Sequence, residues 1–184
     1  ILLSHKTSKE IILSIFPQFK YCERLKKIRE LNKKIKNKFD NYLILALLIT
    51  DQSNNYEYFC HKYKLSNNIQ KRFKNISLNF ENLEDKKFYT QKNLKKLIYF
   101  SNKNYVIDLL LFSICTNSKL KILDIEQFIK YVNFCEIPKF PISGDDLKKY
   151  GYEKGEKLGK KLKSMEEKWI ENDFVLVEKI LKNI

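Results

Sequence analysis

The hydrophobic positions of this chain recur with a helical period along nearly its whole length. Tyr42 to Ile49 is apolar on every side, which predicts a short helix buried at the centre of a fold. A stripe at 3.6-residue spacing predicts a helix upstream of it, and its members are Tyr21, Leu25, Ile28, Leu31 and Ile35. A capping box at Thr7 to Glu10 predicts a short helix that ends before Pro17. Further helices are predicted at residues 56–63, 66–80, 85–100 and 105–115, and around 125–132. Alternating apolar and polar stretches are nearly absent, so the sequence predicts an all-α fold.

The pattern changes character at residues 136–142, a proline-bearing extended stretch. It divides a multi-helix body, residues 1–136, from a C-terminal tail, residues 137–184. Within the tail, Ser143 and Asp146 form a capping box that opens a short helix, and Gly151 is a natural C-terminal cap for it. Gly155 then opens a longer helix whose apolar face is Leu158, Leu162, Met165 and Trp169. The tail is therefore predicted to be a small helix–hairpin–helix unit.

Glycine is confined to this tail, where all four glycines of the chain lie, whereas Ala46 is the only alanine. Gly159 falls inside the longer helix, where glycine costs ~1 kcal/mol relative to alanine, and this predicts that another helix crosses it closely. The start of that helix at Gly155 presents free backbone N–H groups to an anion such as a nucleic-acid phosphate. The candidate RNA-binding residues are Lys148, Lys149, Gly151, Tyr152, Lys154, Gly155, Lys157, Gly159, Lys160 and Lys161. The alternative is that the glycines serve only the packing of two helices.

The formal net charge of +14 is unevenly distributed, with +8 in residues 1–38, +5 in residues 39–142 and +1 in residues 143–184. A balance of this kind favours a polyanion or an anionic membrane surface as partner. The alternative is compositional drift, because Lys, Ile and Asn are also the residues that an A+T-rich genome favours.

The tail resembles the C-terminal segment of bacterial and mitochondrial tRNA nucleotidyltransferases, the CCA-adding enzymes and their poly(A) polymerase relatives. The resemblance lies in F-P-I-S-G-D-D-L, then Y-G-Y-E-K-G-E-K-L-G-K-K-L, then E-E-K-W-I-E-N-D-F. The matching positions are Pro141, Gly144, Asp146, Leu147, Gly151, Gly155, Gly159, Leu162 and Trp169. Tyr152 departs from the family, which often has an aliphatic residue there, and an aromatic ring could stack on a base or ribose.

The resemblance implies a tRNA-binding region that holds the elbow and acceptor arm, with catalysis in a separate head. In the family that head carries an Asp-x-Asp metal pair and nucleotide-pairing arginines. No Asp-x-Asp is found here, and Glu171 and Asp173 lie two residues apart, facing different sides of a helix. We therefore expect no catalytic residue and no cofactor in this chain, with Mg²⁺ and CTP or ATP belonging to the head. The chain begins without Met, so we expect either the C-terminal part of a longer protein or a processed or trimmed product. The head would be separated by gene splitting or decay, and in a split system it would act in trans.

Two alternative functions stay open, a helix–hairpin–helix DNA-binding protein and a non-catalytic helical scaffold. The four cysteines, Cys22, Cys60, Cys115 and Cys135, lie in apolar-periodic segments without C-x-x-C spacing, so we expect buried free thiols and a reducing cytoplasm. His5 and His61 lack partners at ligand spacing, and no metal site is expected. No apolar run is long enough to span a bilayer, and no signal peptide is seen.

Overall fold

The computed structural model describes residues 6–176. These residues form α-helices, two short 3₁₀ helices and loops, with no strand among them, so the predicted all-α fold is confirmed. The helices are α1 Lys6–Ile15, α2 Arg24–Glu30, α3 Lys33–Lys36, α4 Asn41–Ile49, α5 Asn55–Lys62, α6 Asn67–Asn79, α7 Gln91–Phe100, α8 Lys103–Thr116, α9 Ile122–Phe134, α10 Gly144–Lys149 and α11 Glu156–Glu171. The 3₁₀ helices are Glu81–Glu84 and Lys86–Tyr89. The chain divides into two compact units, one ending at Cys135 and the other beginning at Glu136.

The core of the body unit is built around α8, which packs against α2, α4, α6, α7 and α9. Every residue of α8 from Asp108 to Ile114 is buried, as only a helix enclosed on all sides can be. The predicted apolar helix α4 is also largely buried, with Ala46 and Leu47 fully inaccessible. Two central helices thus organise the body.

An ion cluster at the edge of the core, in which only Asp108 is buried, ties α4, α6 and α8 together. The guanidinium of Arg72 donates two hydrogen bonds to the carboxylate of Asp108, at 2.8 and 2.9 Å, and a third to Asp40 at 2.7 Å. The hydrogen bonds that Arg72 donates to Asp108 raise the pKa of Arg72, so the guanidinium stays charged. The paired geometry is what allows the carboxylate of Asp108 to lie inside the body.

Three of the predicted helices differ in the structure. The stripe from Tyr21 to Ile35 is interrupted, because Asn32 is extended and its side chain accepts a hydrogen bond from the N–H of Ile35, starting α3. The 85–100 stretch is likewise broken, because the Thr90 hydroxyl accepts from Asn93 and starts α7. The capping box predicted at Thr7 is wrong, since Thr7 lies inside α1, which already includes Lys6.

Candidate nucleic-acid interface

The short helix α10 is fixed at both ends by hydrogen bonds that its own sequence supplies. At its start, the Ser143 hydroxyl accepts from the N–H of Asp146, and the Asp146 carboxylate accepts from the N–H of Ser143, which completes the predicted capping box. At its end, Gly151 has φ 87°, its N–H donates to Lys148, and the N–H of Tyr152 donates to Leu147. This is a Schellman motif, which requires a left-handed residue at the glycine position.

The longer helix α11 begins at Gly155 without a side-chain cap. Gly155 has φ 152° and ψ −166°, a backbone conformation that is essentially restricted to glycine. Since glycine has no side chain to accept from the first turn, the N–H groups of that turn are open to an external acceptor. The structure therefore gives Gly155 the predicted position at the helix start.

The predicted close helix crossing at Gly159 is wrong. Gly159 is exposed in the first half of α11, and a Cβ built there would meet no atom of residues 6–176 within 4 Å outside its own turn. The close approach in the tail is at Gly144 instead, where a Cβ would lie 3.3 Å from Cδ2 of Leu158. Gly144 is where α10 meets the first turn of α11, so the packing alternative applies to Gly144 and not to Gly159.

The candidate lysines fall into two groups when their partners are compared. Ion pairs hold Lys148 to Asp145 at 2.7 Å, Lys149 to Asp146 at 3.6 Å and Lys160 to Glu156 at 2.6 Å. The Lys148 ammonium lowers the pKa of Asp145, and a hydrogen bond from the Ser143 hydroxyl lowers that of Asp146, so both acids are charged.

The other group flanks the start of α11. Within the described part of the chain, Lys154 and Lys157 have no ion pair or side-chain hydrogen bond, and both are exposed. Two acids, Glu153 and Glu156, share this surface, and Glu156 is paired to Lys160. The cations available to an external anion here are therefore Lys154 and Lys157.

The aromatic residues near the loop between α10 and α11 have different environments. Tyr152 is half-buried, and the Lys161 ammonium lies 5.6 Å from the centre of its ring. Tyr150, the C-cap of α10, is 65% exposed. Tyr152 is among the residues predicted from sequence to bind RNA, and Tyr150 is not. Tyr150 is the ring that can reach a base or ribose without displacing an internal contact.

The base of the tail is an aromatic cluster on the buried face of α11. Trp169 is 2% exposed, and its ring centre lies 5.2 Å from that of Phe140 and 4.9 Å from that of Phe174. Asp173, two residues after the end of α11, has φ 55°, and the N–H of Phe174 donates a hydrogen bond to the carbonyl of Trp169. Of the four predicted face residues, Met165 and Trp169 are buried, whereas Leu158 and Leu162 are half-buried. This packing orients the helix that carries the candidate residues.

Among residues 6–176, no group of three or more His, Cys, Asp or Glu side chains is placed to hold a metal ion. His61 is exposed on α5, and His5 lies outside the described residues. Cys22, Cys60 and Cys135 are buried free thiols, and Cys115 is a half-buried one. In the same part of the chain, no helix has the length and hydrophobicity that crossing a membrane requires.

Comparison with known families supports what the tail sequence suggests. The family model described as tRNA nucleotidyltransferase domain 2, putative, matches residues 33–183, which is most of the chain. The chain belongs to this family. No curated protein and no solved structure matches this chain.

Membership of the tRNA nucleotidyltransferase domain 2 family confirms the resemblance seen in the glycine-bearing tail. The matched region begins in α3 and includes the body from that helix onward, the ion cluster of Arg72 and both helices of the tail. All ten candidate RNA-binding residues lie inside it. The body and the tail therefore belong to one family domain, although only the tail carries the motifs that sequence analysis identified.

Proposed function

We propose that this chain is the tRNA-binding region of a tRNA nucleotidyltransferase that takes part in CCA addition at the tRNA 3′ end. The observation that carries the proposal is the start of α11, where uncapped N–H groups lie beside the two unpaired lysines Lys154 and Lys157. A helix N-terminus with adjacent cations is suited to a phosphate of the RNA backbone. Family membership supports tRNA as the source of that phosphate.

The remaining candidate residues have supporting roles in this proposal. Lys148, Lys149 and Lys160 are held by their acidic partners and frame the surface, while Gly151 shapes the loop. Gly159 leaves bare backbone one turn into α11, where a ribose–phosphate chain can come closer than a side chain would allow. Because the contacts are to backbone phosphate, binding depends on shape and charge with little sequence readout.

Two-metal nucleotidyl transfer requires clustered carboxylates to hold Mg²⁺, and the residues from 6 to 176 do not fit that requirement. We therefore derive no transfer step from this chain and assign the metal and CTP or ATP to a separate catalytic head, linked or in trans. The free cysteines are consistent with action in a reducing cytoplasm.

The test is tRNA binding by the full chain and by two charge-reversal variants. Lys157→Glu changes an unpaired lysine in the first turn of α11, and Lys163→Glu changes an exposed, unpaired lysine about 9 Å farther along the same helix. We expect Lys157→Glu to weaken tRNA binding by about tenfold, the value of a lost charge-assisted contact. Lys163→Glu should change it much less.

Equal losses from the two variants would mean that only net charge matters, and the site at the start of α11 would be rejected. Tighter binding of duplex DNA than of tRNA would favour the helix–hairpin–helix DNA-binding alternative. Nucleotide incorporation is measured alongside, with tRNA lacking its 3′ CCA, Mg²⁺, CTP and ATP. We expect none from the chain alone, and extension that appears when a separately produced head is added would identify a two-part enzyme.

A further inference from the structure

The body carries a second surface that no motif predicted, a groove of about 470 Å³ between α3 and α9. Its floor is formed by two buried aliphatic side chains, Ile35 and Ile129. Its rim is made by Lys34, Lys38, Leu123, Glu126, Gln127, Lys130, Asn133 and Phe134. The residues come from segments about ninety positions apart in sequence, so only the fold brings them together.

The charge of this groove is positive and unneutralised. Lys34, Lys38 and Lys130 are exposed and, in the part of the chain that the structure describes, make no ion pair. The one acid on the rim, Glu126, instead accepts a hydrogen bond of 2.8 Å from the side-chain amide of Asn32. Three cations around one engaged carboxylate leave the groove complementary to an anion.

An exposed aromatic ring stands at one end of the groove. Phe134, the last residue of α9, is 77% exposed, and Leu123, near the start of the same helix, is 68% exposed. Gln127 and Asn133, which carry side-chain amides, also line the groove. Gln127, Lys130 and Phe134 also line an adjoining apolar depression, so the apolar surface continues past the groove.

We propose that this groove binds one unstacked nucleotide of a single-stranded RNA segment, with its base against Phe134 and the adjoining phosphates paired with the rim lysines. Aromatic rings set among cations are how proteins hold single strands, because every base has a face that can stack. Amide side chains add hydrogen bonds to an exposed base edge. The proposal rests on the proposed function for the identity of the polyanion as RNA.

A protein partner fits the groove less well. The centres of protein–protein interfaces are depleted in lysine, whereas three lysines surround the apolar floor here. The volume suits a nucleotide-sized ligand, which occupies pockets of roughly 300 Å³ and upwards. An acidic peptide is therefore treated as the competing occupant that the experiment must reject.

The chain supplies a matched control within its own fold. Lys130 and Phe134 are four residues apart at the end of α9, and Lys96 and Phe100 have the same spacing at the end of α7. Lys96 is exposed and Phe100 is 63% exposed, and neither lines the groove. The variants are Lys130→Ala with Phe134→Ala and, as the control, Lys96→Ala with Phe100→Ala, which remove the same charge and the same ring.

The experiment measures binding of a fluorescent single-stranded RNA of about eight nucleotides, within the site size of single-strand binders, by the full chain and both double variants. We expect the groove variant to bind at least about tenfold more weakly, as loss of one base–aromatic stack predicts, and the control to bind like the original chain. Cross-links from 4-thiouridine in the same RNA should map to the α9 peptide containing Phe134. Circular dichroism checks that both variants fold.

Several results would overturn the inference. These are an octamer affinity that does not respond to the groove variant, equal losses in both variants, or cross-links only outside α9. Binding of a glutamate-rich amphipathic peptide that is lost in the groove variant, with RNA binding intact, would assign the groove to a protein. Binding of intact tRNA is measured in parallel. If the unsubstituted chain does not bind tRNA, the proposed function is rejected. If it binds tRNA but not the octamer, only the groove proposal is rejected.

Discussion

Replacing Gly159 with alanine should stabilise the tail, although a glycine in a family motif would ordinarily be assigned to close packing. The structure decides whether the substitution raises or lowers the free energy of unfolding. Gly159 lies in the interior of α11, it is exposed, and an added Cβ would meet no atom within 4 Å. No clash offsets the gain in helix propensity, so Gly159→Ala should raise the free energy of unfolding of α11 by about 1 kcal/mol.

Gly155→Ala is the paired variant, one turn earlier on the same helix. A Cβ there would also point into open space, but φ 152° and ψ −166° are strained for alanine and cost about 1–3 kcal/mol. The two substitutions are chemically identical and should have opposite effects on stability.

Hydrogen exchange of the α11 amides is the suitable assay, because the chain has two units and a single melting temperature need not report on the tail. A gain of 1 kcal/mol should slow exchange by about fivefold where exchange proceeds through opening of the tail. Slower exchange in Gly155→Ala, or faster exchange in Gly159→Ala, would refute the reasoning. Weaker tRNA binding by a stabilised Gly159→Ala chain would show that the bare backbone serves the ligand.

Three further predictions concern the body. Asp108→Ala removes the bidentate partner of the partly buried Arg72, which keeps Asp40 as a partner, and should destabilise the body by about 2 kcal/mol in urea unfolding; a loss under about 0.5 kcal/mol would mean the pair adds little. Burial raises the pKa of Asp40, but hydrogen bonds from Arg72 and the Leu43 backbone outweigh it and lower the pKa overall. The charged Asp40 carboxylate therefore stabilises the body above its unfolded pKa of about 4, and this stabilisation is lost as the pH falls through its pKa in the folded state. In urea unfolding at a series of pH values, Asp40→Asn should remove this part of the pH dependence. Burial raises the pKa of Cys60 to about 11 and of Cys115 to about 12; at about pH 8 a thiol reagent should therefore modify the buried Cys60 only after unfolding, and the half-buried Cys115 more slowly in the folded than in the unfolded chain.

The sequence predicts correctly those parts of the fold that short-range chemistry decides. The capping box at Ser143 and the left-handed glycine at Gly151 each involve residues within five positions, so composition and spacing are enough. The interruptions at Asn32 and Thr90 are local too, but the apolar stripe stays in phase across them. Leu31 and Ile35 are both buried on either side of the first break, so periodicity alone cannot show that the helix ends.

The parts that sequence could not predict depend on contacts between distant segments. Arg72 meets Asp40 and Asp108 across 32 and 36 positions, and nothing in the local pattern of any of them indicates a partner. The prediction of a close helix crossing at Gly159 was wrong for a related reason. A glycine inside a helix shows that the position has no side chain, but the sequence does not show which neighbour, if any, lies there. Among the described residues, the space beside Gly159 is open. The glycine of this tail that has a close neighbour is Gly144, which lies against the side chain of Leu158.

Counting lysines overstates the charge that the tail can offer to RNA, and the structure turns this into a measurable difference. Of the six candidate lysines, Lys148, Lys149 and Lys160 are paired to acids, and Lys161 lies against Tyr152. A lysine already held by a carboxylate gains less from a phosphate and releases fewer counterions. Each phosphate contact changes the slope of log affinity against log salt by about 0.9 on duplex nucleic acid. Replacing Lys154 and Lys157 with alanine should therefore lower the tRNA salt slope by about two, whereas replacing Lys148 and Lys149 should lower it by well under one. Equal slopes for the two double variants would show that the internal ion pairs open on binding, and total charge would then be the better guide to the interface.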